Sequence, residues 1–244
     1  MLIHVVNPNT TSSMTDKIGK AAKAAAGANV EIIVSQAAMG PVSIEGYYDE
    51  AFAVPGMLAR IVEAEAKGVA GHIIACFDDT GLDAARCIAK APVIGIGEAA
   101  FHAASLVAGK FSVLTTLGRS VPAIEHNLVR YGLASRCAKV RAAEVPVLAL
   151  EDPHSDAYKK ITAEIVVALR EDACEAIVLG CAGMADLARD LSAKHGVPII
   201  DGVAVSVGFI QMLHQAGIKT SKRGGYAAPS PKKYTGEFSH FAPA

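Results

Sequence analysis

Short apolar, β-branched runs alternate along the chain with Ala-rich stretches of helical period. The runs fall at residues 2–6, 30–34, 72–75, 93–96, 112–115, 140–145, 176–179 and 197–200. They are apolar at nearly every position instead of every second one, as expected of parallel strands covered on both faces. Between them, apolar residues recur at helical spacing, which predicts helices over 12–26, 50–67, 81–89, 98–108, 120–131, 156–172, 186–194 and 203–215. The first has hydroxyl residues Thr11, Ser12 and Ser13 as candidate caps and closes near Gly27. Alternating βα units imply an α/β protein with parallel sheets and right-handed crossovers.

A repeat organises these units. Residues 72–96 (HIIACFDDTGLDAARCIAKAPVIGI) and 176–200 (AIVLGCAGMADLARDLSAKHGVPII) share one plan. Each runs apolar strand, Cys, Gly-containing turn, helix with an Ala-Arg pair (Ala85-Arg86, Ala188-Arg189), then Pro and a second apolar strand. Four predicted strands fall in each half. The chain therefore reads as two pseudosymmetric lobes, each a roughly four-stranded, mainly parallel sheet flanked by helices, with a cleft between them. The polar, Pro-rich end, residues 219–244, reads as a tail that packs on the first lobe or stays loose.

Composition narrows the function classes. The 244 residues are 52% hydrophobic and 19% charged, which excludes a disordered chain. Lys and Arg number 23 against 24 Asp and Glu, so no basic field is present to hold a nucleic acid. The longest stretch free of these four residue types, 202–218, contains Ser206, Gln211, His214 and Gln215 and is too polar to be a membrane span. The N-terminus shows neither the basic region nor the cleavage site of a secretory signal, and five cysteines is an odd count. A cytoplasmic protein with free thiols is the expectation.

Two of those thiols, Cys76 and Cys181, stand at equivalent places in the repeat. Each ends a buried strand and precedes a helix, at the sheet edge where α/β proteins bind ligands. A helix N-terminus there would favour the thiolate. An isolated cysteine in such a protein is most often plain core. Two in matched positions read instead as an acid/base pair facing one substrate carbon, whereas Cys87, Cys137 and Cys174 lie in or beside helices and read as packing.

No Cys-x-x-Cys or His-x-x-x-His pairing suggests a metal site. Gly95-Ile-Gly97-Glu-Ala-Ala100 fits a dinucleotide-binding pattern, but the acidic residue expected about 20 positions later is missing. Those glycines read as a tight turn between the lobes. Asn9 and Thr10 after the first strand, and Thr115 and Thr116 after the fifth, could bind an amide or carbonyl, or simply cap helices. Asp78 and Asp79 could cap or anchor. Gly180, Ala182 and Gly183 surround Cys181, where backbone N–H groups can approach an oxyanion. Pro41 and Ile44 fall in a loop long enough to wall a cleft, and Phe77 follows the first key cysteine.

The segments VVNPNTT (5–11), GPVSIEGYYDE (40–50), ACFDDTGLDAAR (75–86), PVIGIGEAAFHAA (92–104), SVLTTLGRSVP (112–122), LGCAGMADL (179–187) and VPIIDGV (197–203) together resemble the aspartate/glutamate/hydantoin racemase superfamily, most closely its hydantoin racemase branch. The resemblance implies a first lobe of residues 1–97 and 208–244 and a second of 98–207, with the active site between them. It implies cofactor-free racemisation with Cys76 and Cys181 in the catalytic positions, and a homo-oligomer. Amino-acid racemases of this superfamily follow the first cysteine with Asn-Thr and the second with Thr-Glu. Here Phe77-Asp78 and Ala182-Gly183 stand instead, which points to a cyclic ureide (a hydantoin or allantoin) as the small-molecule substrate. Maleate isomerisation, arylmalonate-type decarboxylation and a catalytically silent two-lobe binder are the competing readings.

Overall fold

The computed structural model describes residues 1–152 and 154–243, the side chain of Asp186 excepted; Ala244, the last residue of the expected tail, lies outside the described residues. Among the described residues eight strands and eight α-helices alternate: β1 Leu2–Asn7, α1 Ser12–Ala25, β2 Glu31–Gln36, α2 Tyr47–Glu65, β3 Gly71–Ile74, α3 Leu82–Ile88, β4 Val93–Gly95, α4 Ile96–Val107, β5 Phe111–Thr115, α5 Val121–Arg130, β6 Cys137–Ala142, α6 Ala157–Glu171, β7 Ala176–Gly180, α7 Ala188–His195, β8 Ile199–Asp201 and α8 Gly202–Gln215. The strands form two all-parallel sheets, ordered β2-β1-β3-β4 and β6-β5-β7-β8, so the two halves repeat one topology. Cys76 and Cys181 follow β3 and β7, the third strand of each half.

The two sheets share a core. Ile3, Val5 and Ile73 of the first belong to the same apolar cluster as Phe111, Val113 and Val178 of the second, with Phe101 of α4 and Ile210 of α8 between them. The helices cross over: α4 leaves β4 and packs on β7, whereas α8 leaves β8 and packs on α1 and β3. The outer faces carry separate clusters, one beneath α2 and α3, the other beneath α6 and α7. Among the described residues, no helix is long and apolar enough to cross a membrane. The C-terminal segment does contact the first lobe: Thr220 donates to the Ala91 carbonyl and the Tyr226 hydroxyl to Asp83 of α3.

Most elements form where the periodicity places them, and the departures have physical causes. β6 starts at Cys137, not 140, because it is an edge strand whose polar positions read as turn. Its Arg141 is buried only by pairing with Glu164, Glu171 and Asp172. α2 begins at Tyr47, three residues before expectation, since exposed Tyr47 and Tyr48 break the apolar pattern. α1 lacks the expected hydroxyl cap. The Thr11 hydroxyl donates to the Val42 carbonyl instead and ties down the 40–46 loop.

Under α2 the first sheet holds a buried polar chain. His4 Nδ1 lies 2.9 Å from His72 Nδ1, His4 Nε2 is 2.7 Å from the Ser35 hydroxyl, and His72 Nε2 is 2.9 Å from Glu65. Burial lowers the His4 pKa to about 3. The unfolded chain thus accepts a proton near pH 6.5 that the native state refuses, so this contribution is present above 6.5 and is lost as pH falls toward 3. We expect His4→Gln to remove an acid-side loss of about 2 kcal/mol between pH 7 and pH 5, measured as the difference between urea unfolding curves of the two proteins. Identical pH dependence in both would refute this.

Candidate active site

The carboxyl ends of both sheets open onto one cavity of about 40 Å³, lined by Cys76 and Cys181 together with Asn7, Asn9, Ile44, Phe77, Asp78, Thr115, Thr116, Ser120, Val147, Gly180 and Ala182 among others. That is room for only a few waters. The rim is closed by links between the halves. Val147 N–H donates to Glu45 Oε1 at 3.0 Å, and Lys17 of α1 reaches the Leu150 carbonyl at 2.8 Å and Glu151 at 3.1 Å.

Both sulfurs keep some surface toward the cavity and are otherwise enclosed. Burial pushes the Cys76 thiol well up, and Asp78 adds to it; the Thr80 hydroxyl, 3.3 Å from the sulfur, and the Asp78 N–H pull the other way. Cys181 is pushed up to about 11, again chiefly by burial, with the Gly183 N–H and Lys17 opposing. The expected thiolate-favouring helix ends are therefore outweighed in the closed cleft. Cys76 in fact stands five residues ahead of Gly81, the cap of α3, too far for that helix to act on it.

The other expected site residues divide. Asn9, Ile44, Phe77, Asp78, Thr115, Thr116, Gly180 and Ala182 line the cavity; Thr10, Pro41 and Gly183 do not. Thr10 bonds the Pro41 carbonyl through both its N–H and its hydroxyl, so this pair fixes the loop behind the wall. The Asn9 amide is engaged by Asn7, the Thr11 N–H and Met14, and the Thr115 hydroxyl by the Gly180 carbonyl. The Phe77 ring packs edge-on against Phe101, 5.3 Å between centroids. In contrast, among the described residues no hydrogen bond engages the Thr116 or Ser120 hydroxyl, and both residues line the cavity. Ser120, Val147, Lys17 and Glu50 are not singled out by the sequence reading. They reach the site through packing between elements distant in the chain.

Asp79, next to the site, supports it. Its carboxylate accepts from Gly97 N–H (3.0 Å), Glu98 N–H (2.8 Å) and the Tyr131 hydroxyl (2.7 Å), so it caps α4 from a distance. In the other half Asp201 caps α8 locally, accepting from Val203 and Ala204 N–H. The first lobe has Gly95 at that cap position, and the Gly95-x-Gly97 pair leaves space for Asp79: a Cβ on Gly95 would come within 1.9 Å of its Oδ1. Among the described residues, no group of three or more His, Cys, Asp or Glu side chains stands where it could hold a metal ion.

Comparison with known proteins identifies the family. The family model described as Asp/Glu/Hydantoin racemase matches residues 3–210. A hydantoin racemase of Rhizobium meliloti is 49% identical over 236 residues, 97% of this chain and 98% of that protein. A hydantoin racemase of Pseudomonas sp. (strain NS671) is 42% identical over 241 residues, 99% of this chain and 97% of that protein. The solved structure of an allantoin racemase from Klebsiella pneumoniae superposes with a TM-score of 0.97 at 45% identity, covering 100% of both chains. The chain belongs to the Asp/Glu/hydantoin racemase family and is an isomerase.

Proposed function

We propose that this enzyme racemises 5-substituted hydantoins at C5, with Cys76 and Cys181 as the two acid/base groups and no cofactor. The observation that carries this is the pair of thiols, contributed by equivalent positions of a duplicated unit, lining one cavity. One sulfur, as thiolate, takes the C5 proton. The electron pair moves to the C4 carbonyl to form an enolate, and the opposite thiol protonates the other face. The first sulfur ends as thiol and the second as thiolate, ready for the reverse direction. Thr116 and Ser120, both in the cavity lining, supply hydroxyls for the ring oxygen that gains charge in this reading.

Among the described residues the lining contains no Lys, Arg or His, which favours an uncharged ring over an amino acid that must bring a carboxylate. Relatives named hydantoin racemase support the substrate class; the similarity to an allantoin racemase structure supports allantoin, itself a hydantoin with a 5-ureido group, as a second reading. Exposed Leu106, Val107 and Val129 support a homo-oligomer.

Decay of circular dichroism from an optically pure 5-benzylhydantoin, beside the same measurement on (S)-allantoin, tests both readings. Decay of the first at a useful rate is the expected result. Decay confined to allantoin would make the second reading the right one, and no decay in either would remove both.

A further inference from the structure

We propose that Asp78, backed by Glu50, is the specificity-determining residue of the cleft: it admits uncharged substrates beside Cys76 and turns away those that bring a carboxylate. The proposal deepens the hydantoin reading and rests on it for the identity of the substrate, though not for the charge rule.

Two adjacent acids follow Cys76, and the fold gives them opposite duties. Asp79 is consumed by three hydrogen bonds to α4 and Tyr131. Asp78 faces the cavity, and the described residues give its carboxyl no hydrogen bond. Its main chain is nonetheless held, because Asn127 of α5 donates to its carbonyl at 2.9 Å. Glu50, from the first turn of α2, acts on both Asp78 and Cys76, and its Oε1 is buried without a hydrogen-bond partner.

No cation answers these acids from the lining. Lys17 acts on the Cys181 side, where Leu150 and Glu151 hold it, and Arg119 lies over Gly46 outside the lining. Burial, with Glu50 and Asp79 nearby, pushes Asp78 up to about 7, so above that pH the Cys76 side of the cleft carries net negative charge. A ring N–H donor satisfies such a carboxylate, whereas a second carboxylate in the same enclosed space is repelled.

The test uses matched neutral and anionic thiol reagents on the intact protein. Initial rates of alkylation by iodoacetamide and by iodoacetate at pH 8 are read for Cys76 by peptide mass spectrometry, with glutathione as the reference thiol. We expect the preference of Cys76 for the neutral reagent to exceed that of glutathione by about tenfold, to fall to within about twofold in Asp78→Asn, and to fall by about threefold in Glu50→Gln. An unchanged preference in Asp78→Asn overturns the proposal. Should that variant not fold, an unchanged preference in Glu50→Gln does so. In parallel, kcat/KM for 5-carbamoylmethylhydantoin against 5-carboxymethylhydantoin should favour the amide in the wild type and lose that bias in Asp78→Asn. If neither hydantoin is racemised, the hydantoin reading fails while the alkylation ratios still decide the charge rule.

Discussion

Replacing either Cys76 or Cys181 by serine is expected to lower racemisation by about 10²–10⁴-fold, the usual worth of a positioned acid/base group. Serine keeps the shape of the side chain, and each sulfur faces the cavity, so the fold should survive. The informative result lies in isotope exchange. Inversion needs a proton removed from one face and delivered to the other, hence both sulfurs. Exchange without inversion needs only one, which takes a proton and returns a deuteron from solvent. In D2O each variant should therefore wash deuterium into one enantiomer of the hydantoin and not the other, with opposite preferences for Cys76→Ser and Cys181→Ser. Mass spectrometry on the recovered enantiomers reads this directly. If one variant is dead toward both enantiomers while the other racemises normally, a single base does the chemistry and the paired mechanism is wrong.

Gly97→Ala should be among the most damaging single-methyl additions to this chain. A Cβ there would stand 2.3 Å from the Phe77 carbonyl and 2.9 Å from Asp79 Oδ2. The first neighbour is backbone, so no rotamer change relieves the clash. The chain must shift, at a cost of about 1–3 kcal/mol. Because Phe77 follows Cys76 directly, the same shift displaces the thiol. We expect the urea midpoint to fall and racemisation to drop further than the loss of folded protein accounts for. A variant with wild-type midpoint and activity would show that the 77–79 turn is more pliable than its hydrogen bonds indicate.

The strand runs, the repeat and the matched cysteines were legible in the sequence because burial on both faces and the shared plan of the two halves leave local marks. Thr11 shows where local reading stops: its hydroxyl, placed for a cap, is drawn to Val42 by the 40–46 loop. Gly95 and Gly97 read as a tight turn between the lobes, whereas Gly95 ends β4 and caps α4, Gly97 lies in the first turn of that helix, and the space they leave is filled by Asp79, 18 residues away from Gly97 in the chain. Glu50 and Ser120 lie in segments that carry the family resemblance but are not singled out there for a role, and Val147 lies in none. They matter through position alone, which only the packed fold supplies.

The anchoring of the 77–79 turn also bears on how the cleft can breathe. Cys76 belongs to the first sheet, yet its turn is bonded to Asn127 and Tyr131, on and just after α5 of the second half, and to the start of α4. A swinging of one half against the other would break these bonds and split the apolar cluster common to both sheets. The contacts at the rim are Glu45 to Val147 and Lys17 to Leu150 and Glu151. Opening of the rim alone would leave the bonds of the 77–79 turn and the shared core intact. The wall that carries Cys76 is thereby braced by both halves, so its place is set by the whole molecule and not by one lobe.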